Sequence, residues 1–116
     1  MAPSSPILST ILLTGNDMRK MYKAVTCKSG FSVSIQANET SYCNPRTNNA
    51  ERYSQVELGF PSAEEDMIMK WAEDPDNPCD TVYGYVPVNV VNLVIAKHGG
   101  AVEGTAPPGV ILLSAL

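Results

Sequence analysis

Residues 81–100 read Thr-Val-Tyr-Gly-Tyr-Val-Pro-Val-Asn-Val-Val-Asn-Leu-Val-Ile-Ala-Lys-His-Gly-Gly, and this stretch decides the fold class. From Thr81 to Val86 the residues alternate, with Val82, Gly84 and Val86 on one side and Tyr83 and Tyr85 on the other, the period of a β-strand. Side chains on both faces point to a central place in a sheet. The run from Pro87 to His98 carries no charge before Lys97, and its apolar residues fit a buried helix or a buried strand equally well. The punctuation decides for helix: Pro87 suits a first turn, Lys97 and His98 suit the negative end of the dipole, and Gly99-Gly100 supply a left-handed stop. A strand running into a helix across a proline makes the chain a mixture of both element types.

Upstream, Pro61-Ser62-Ala63-Glu64-Glu65 has the form of a capping box, in which Ser62 serves the first free amides and Glu65 reaches back to the Ser62 backbone. It predicts a helix with Ile68, Trp71 and Ala72 on one face, halted by Asp74-Pro75. Asp74 to Asp80 then forms a tight acidic loop. Tyr53 to Phe60 alternates Val56, Leu58 and Phe60 against Gln55, Glu57 and Gly59, as a strand does. Met21 to Cys27 and Phe31 to Gln36 read as a hairpin about Lys28-Ser29-Gly30. Between them, Ala37 to Arg52 is polar and lacks either periodicity, so it reads as a long loop of the kind that carries function. The order β-β-β-α-β-α predicts an α+β fold, a small antiparallel or mixed four-stranded sheet with two helices on one face.

Residues 21–103 are expected to be the single domain of this 116-residue chain. Residues 1–20 read as an N-terminal extension, either an arm or a stretch foreign to the native product. A Thr14-Gly15 codon pair of the form ACAGGA would set a ribosome-binding core ahead of Met18, which points to a start at Met18 or Met21. Ile7 to Leu13 has no Lys or Arg before it and fits a secretory signal poorly, so Asn38-Glu39-Thr40 is read as a chance match to a glycosylation acceptor. Residues 104–116 form a linker around Pro107-Pro108 and an apolar tail, Val110 to Leu116, that packs on the domain or on a neighbour.

The formal charge is −4. That balance disfavours a protein gripping the nucleic-acid backbone, whose affinity rests on Lys and Arg displacing counterions, and makes a basic protein partner easier to accommodate. No apolar run approaches the roughly 20 residues of a membrane-spanning helix. Cys27, Cys43 and Cys79 are odd in number and contain no C-x-x-C pair, which suits reduced thiols better than a disulfide framework or a zinc site. Asp74, Asp76 and Asp80 lack the spacing and terminal Glu of a calcium loop. No glycine-rich phosphate loop is present. No metal or cofactor is therefore expected. A cysteine enzyme would need Cys43 as nucleophile and the sole histidine, His98, as its base, with no orienting third group in view.

Tyr42, Asn44, Arg46, Arg52 and Tyr53 are the stronger candidates. They place two guanidinium groups and two aromatic rings in one polar loop of a chain with only three arginines. Arg clamps a carboxylate or phosphate through its planar fork, while a Tyr ring stacks on a base or packs against a partner. The acidic helix face at Glu64, Glu65 and Asp66 is a second binding surface, and the strand face of Tyr83 and Tyr85 is either a third or simply core.

At Cys43-Asn44-Pro45-Arg46, Val56-Glu57-Leu58-Gly59-Phe60-Pro61-Ser62 and Val82-Tyr83-Gly84-Tyr85-Val86-Pro87 the chain resembles small accessory proteins encoded by tailed bacteriophages and prophages, over Met21 to Gly100. The resemblance implies a bacterial host cytoplasm. It implies a non-enzymatic protein binding a host protein or a small signalling ligand, among them inhibitors of host defence. The alternative it leaves open is a virion structural or decoration component whose tail and arm insert into neighbouring subunits. Either role is compatible with a homo-oligomer.

Overall fold

The computed structural model describes residues 19–114. The expectations placed on residues 1–18 and on the last two residues lie outside the described residues. Five strands, β1 (Val25–Cys27), β2 (Ser32–Gln36), β3 (Gln55–Gly59), β4 (Val82–Pro87) and β5 (Ala101–Glu103), form one antiparallel sheet in the order β4-β3-β2-β1-β5. Helix α1 (Val88–Lys97) joins β4 to β5, and a 3-10 helix, Asp66–Trp71, lies between β3 and β4. The class is α+β. The sheet has five strands where four were expected, because Ala101–Glu103 is too short to announce itself by alternation, and only one of the two expected helices is α.

Strands β4 and β5 sit at opposite edges of the sheet, so α1 must carry the chain across all of it. Four interstrand spacings amount to about 19 Å, and a helix of ten residues is about 15 Å long. The helix covers most of that crossing, and His98 to Gly100 complete it before Ala101 pairs with Cys27. Val91, Val94 and Ile95 form the buried stripe of α1 and join Val25, Val33, Ile35, Val56, Leu58, Ile68, Tyr83 and Val86 in one core. The helix stops where expected: Gly99 and Gly100 both have φ of +90°, and the Gly100 amide turns back to the Ile95 carbonyl.

The expected helix from Ser62 is absent. Ser62 instead clasps β2, its hydroxyl accepting from the Ser32 amide at 2.9 Å and its amide donating to the Ser32 carbonyl at 2.8 Å. Glu65 is extended, with φ −126° and ψ 109°, and its carboxylate accepts from the Met67 amide. Two donors at the end of α1, the Lys97 ammonium and the His98 imidazole, hold that carboxylate and prevent its return to Ser62. Helical backbone begins only at Asp66 and stays in the tighter 3-10 form.

The central position expected for β4 is also corrected, since β4 is an edge strand. Loops occupy its outer side: the Tyr85 amide donates to the Tyr42 carbonyl, the Glu73 amide donates to the Val82 carbonyl, and Ala72 bridges Tyr83. At the opposite edge the Ala101 amide donates to the Leu113 carbonyl, and Ser114 bridges Ala101. Residues 104–114 thus run over the domain, bonding Lys23 through Thr105 and the Tyr53 amide through the Pro108 carbonyl. Ile111 and Leu113 remain exposed. Among the described residues no helix is long and apolar enough to cross a membrane.

Candidate functional site

The site begins with a register defect. Val56 pairs with Val86 and Leu58 with Tyr83, so one residue of β3, Glu57, faces two of β4, Gly84 and Tyr85. This is a β-bulge, a device that re-aims side chains. Beyond it the alternation of β4 inverts, which buries both Tyr83 and Val86 and turns Tyr85 outward at 43 % exposure. Tyr85 adopts φ +58°, left-handed backbone that a bulky residue rarely enters. The shared face expected for Tyr83 and Tyr85 therefore does not exist. Tyr83 belongs to the core, its hydroxyl donating to the Pro78 carbonyl, and Tyr85 belongs to the surface.

Tyr42 meets it there. The Tyr42 amide donates to Glu57 Oε1 at 2.8 Å, and its ring lies 5.9 Å from that of Tyr85. Gly84 makes this approach feasible, because a Cβ at that position would come within 3.1 Å of the Tyr42 Cβ. The Arg46 guanidinium stands 5.3 Å from the centre of the Tyr42 ring, within cation–π range. Tyr85, Tyr42 and Arg46 thus form one exposed cluster of two tilted rings and a guanidinium.

Next to it in the chain, Pro45 lines a cleft of about 390 Å³ together with Arg52, Tyr53, Ser54, Val88 and Asn89. Val88 and Asn89 open the first turn of α1, and Pro87 before them supplies no side-chain cap. The cleft joins a guanidinium to the positive end of a helix dipole. Tyr53 itself is fully buried and braces the loop from below, its hydroxyl donating to the Thr47 carbonyl at 2.7 Å and accepting from the Ala50 amide. Asn44 is exposed and bonds Ser54 through its side-chain amide at 2.8 Å. The loop residues Tyr42, Asn44, Arg46 and Arg52 are all exposed; Tyr85 is the member that strict alternation concealed.

The acidic trio divides. Glu64 and Asp66 are exposed, whereas the Glu65 side chain is 2 % exposed and turned inward, 2.8 Å from Lys97 Nζ and 2.7 Å from His98 Nε2. Burial alone would raise the Glu65 carboxyl. The hydrogen bonds from Lys97, His98 and the Met67 amide, with the Lys97 charge, outweigh it and hold the group down at about 2. Cys43 and His98 are not partners. The Cys43 Sγ donates toward the Asn38 and Pro45 carbonyls, while the two ring nitrogens of His98 face Ser29 and Glu65. Burial also raises the Cys43 thiol, disfavouring the nucleophilic thiolate. Among the described residues no three His, Cys, Asp or Glu side chains gather to hold a metal ion. Compared with protein-family models, curated proteins and solved structures, the chain matches none.

Proposed function

We propose that this protein is a binding protein, a phage accessory factor that captures a planar, negatively charged small molecule of the nucleotide class in the host cytoplasm. Removing such a signalling metabolite from circulation would blunt the defence that depends on it. The observation that carries the reading is the Tyr85–Tyr42–Arg46 cluster, in which strained backbone holds an aromatic ring in solvent beside a second ring and a guanidinium. A flat heterocycle suits the rings. An acidic group suits Arg46 and Arg52, since a guanidinium offers paired donors to a carboxylate or phosphate.

The test is native mass spectrometry of the full chain purified from a bacterial cytosol, followed by fluorescence titration with AMP as probe. The expected result is a retained mass or saturable AMP binding. Replacing Arg46 and Arg52 with Ala should weaken it about 10- to 100-fold, the loss of one or two charge-assisted contacts, at nearly unchanged melting temperature. Neither a retained mass nor AMP binding, or equal binding by the double variant, would overturn the assignment.

A further inference from the structure

A second cluster lies at the other end of α1. Ser29, exposed in the turn between β1 and β2, places its Oγ 2.9 Å from His98 Nδ1. His98 Nε2 lies 2.7 Å from Oε1 of the buried Glu65, and the imidazole is stacked on Phe31 with centroids 4.3 Å apart and planes 13° apart. An ionised carboxylate can only accept, so in the neutral imidazole Nε2 carries the proton and Nδ1 accepts from the Ser29 hydroxyl. Hydroxyl, imidazole and buried carboxylate therefore stand in the order that activates serine for acyl transfer, with the two ring nitrogens exchanged relative to the familiar hydrolases. The Phe31 amide, 3.2 Å away, donates to Ser29 Oγ and helps fix the oxygen in place.

We propose that Ser29 is an acyl acceptor for small esters, with His98 as its base and Glu65 as the positioning residue that orients the imidazole. As Oγ bonds to the ester carbonyl carbon, its proton passes to Nδ1. Collapse of the tetrahedral species breaks the ester C–O bond, and the departing alcohol takes the proton from Nδ1. Water then adds to acyl-Ser29 by the same route, Nδ1 accepting its proton and returning it to Oγ as the carboxylic acid leaves. The site is separate from the aromatic cluster and does not depend on the binding function proposed above.

The probe is an alkyl fluorophosphonate, which forms a P–O bond at an activated serine and expels fluoride, applied to the full chain with adducts mapped by peptide mass spectrometry. The expected result is a single adduct on Ser29 of the folded protein, lost when the chain is unfolded in guanidinium and absent from Ser29→Ala. His98→Gln, confirmed as folded by its melting curve, should label about 100-fold more slowly or less. Folded Glu65→Gln should label more slowly, and Glu65→Asp, which restores a carboxylate to orient the imidazole, should recover the rate where a purely structural Glu65 would show no such rescue. No adduct on Ser29 in the folded wild type, or labelling that proceeds equally in folded His98→Gln, would overturn the proposal.

Discussion

Tyr85 holds a backbone conformation that costs a bulky residue about 1–3 kcal/mol, and its ring recovers little of that by burial, since 43 % of the residue stays in solvent. Asn enters the left-handed region far more readily. Tyr85→Asn is therefore expected to raise the melting temperature by a few degrees, about 1 kcal/mol for a domain of this size, while AMP binding weakens at least about tenfold. Thermal scans and titration on the same sample check both halves; a lower melting temperature with unchanged binding would place the ring in the service of the fold. Little of this residue's role was legible beforehand, because a period of two cannot register an extra residue inserted opposite Glu57. The available signal was Gly84, a glycine inside a strand, which commonly marks a bulge or a close approach. Tyr42, Arg46 and Arg52 were readable as residue types in a polar loop, but their grouping with Tyr85 depends on contacts across the fold.

At the level of elements, Glu65 fastens the 3-10 helix to the end of α1. Its carboxyl titrates at about 2 in the folded protein against an ordinary 4.5. A lowered folded value means that the contribution is complete above pH 4.5 and is lost as the pH falls from there toward 2, an effect on the order of 3 kcal/mol. Urea midpoints at pH 7 and pH 3 should show the wild type losing more stability on acidification than Glu65→Gln, which lacks that titration; equal losses would mean the ion pairs contribute nothing to folding. Local reasoning failed at this residue for a physical reason. The capping box competes with partners 32 and 33 positions along the chain, and a carboxylate buried beside an ammonium and an imidazole N–H gains more there than a fraying helix end offers. Where no distant partner competed, punctuation was sufficient: Pro87 and Gly99-Gly100 marked both ends of α1, and Lys28-Ser29-Gly30 marked the hairpin turn.

Over the whole molecule, residues 104–114 act as a strap. Ala106, Val110 and Leu112 pack against the core, and backbone bonds tie the segment to Lys23, Tyr53 and Ala101. Deleting residues 104–116 is expected to destabilise the protein by at least about 3 kcal/mol, the scale of several partly buried side chains, read as a melting temperature lower by 10 °C or so. A truncated chain that melts with the full one would make the segment an appendage. Its packing was hard to foresee because glycine and paired prolines describe a linker by composition, and only the fold supplies the surface that such a segment lies on.

Both outer strands of the sheet are met by the chain's own loops, Tyr42 and Ala72 at one margin and Leu113 and Ser114 at the other. Among the described residues a visiting polypeptide therefore finds no long row of vacant peptide groups to extend on these two strands, which hinders strand-by-strand aggregation there. Contact with anything else has to pass through protruding side chains. The scaffold and the surface it displays are in that sense separable: exchanging Tyr42, Arg46 or Arg52 would change the face the molecule presents without rewriting the sheet that carries it.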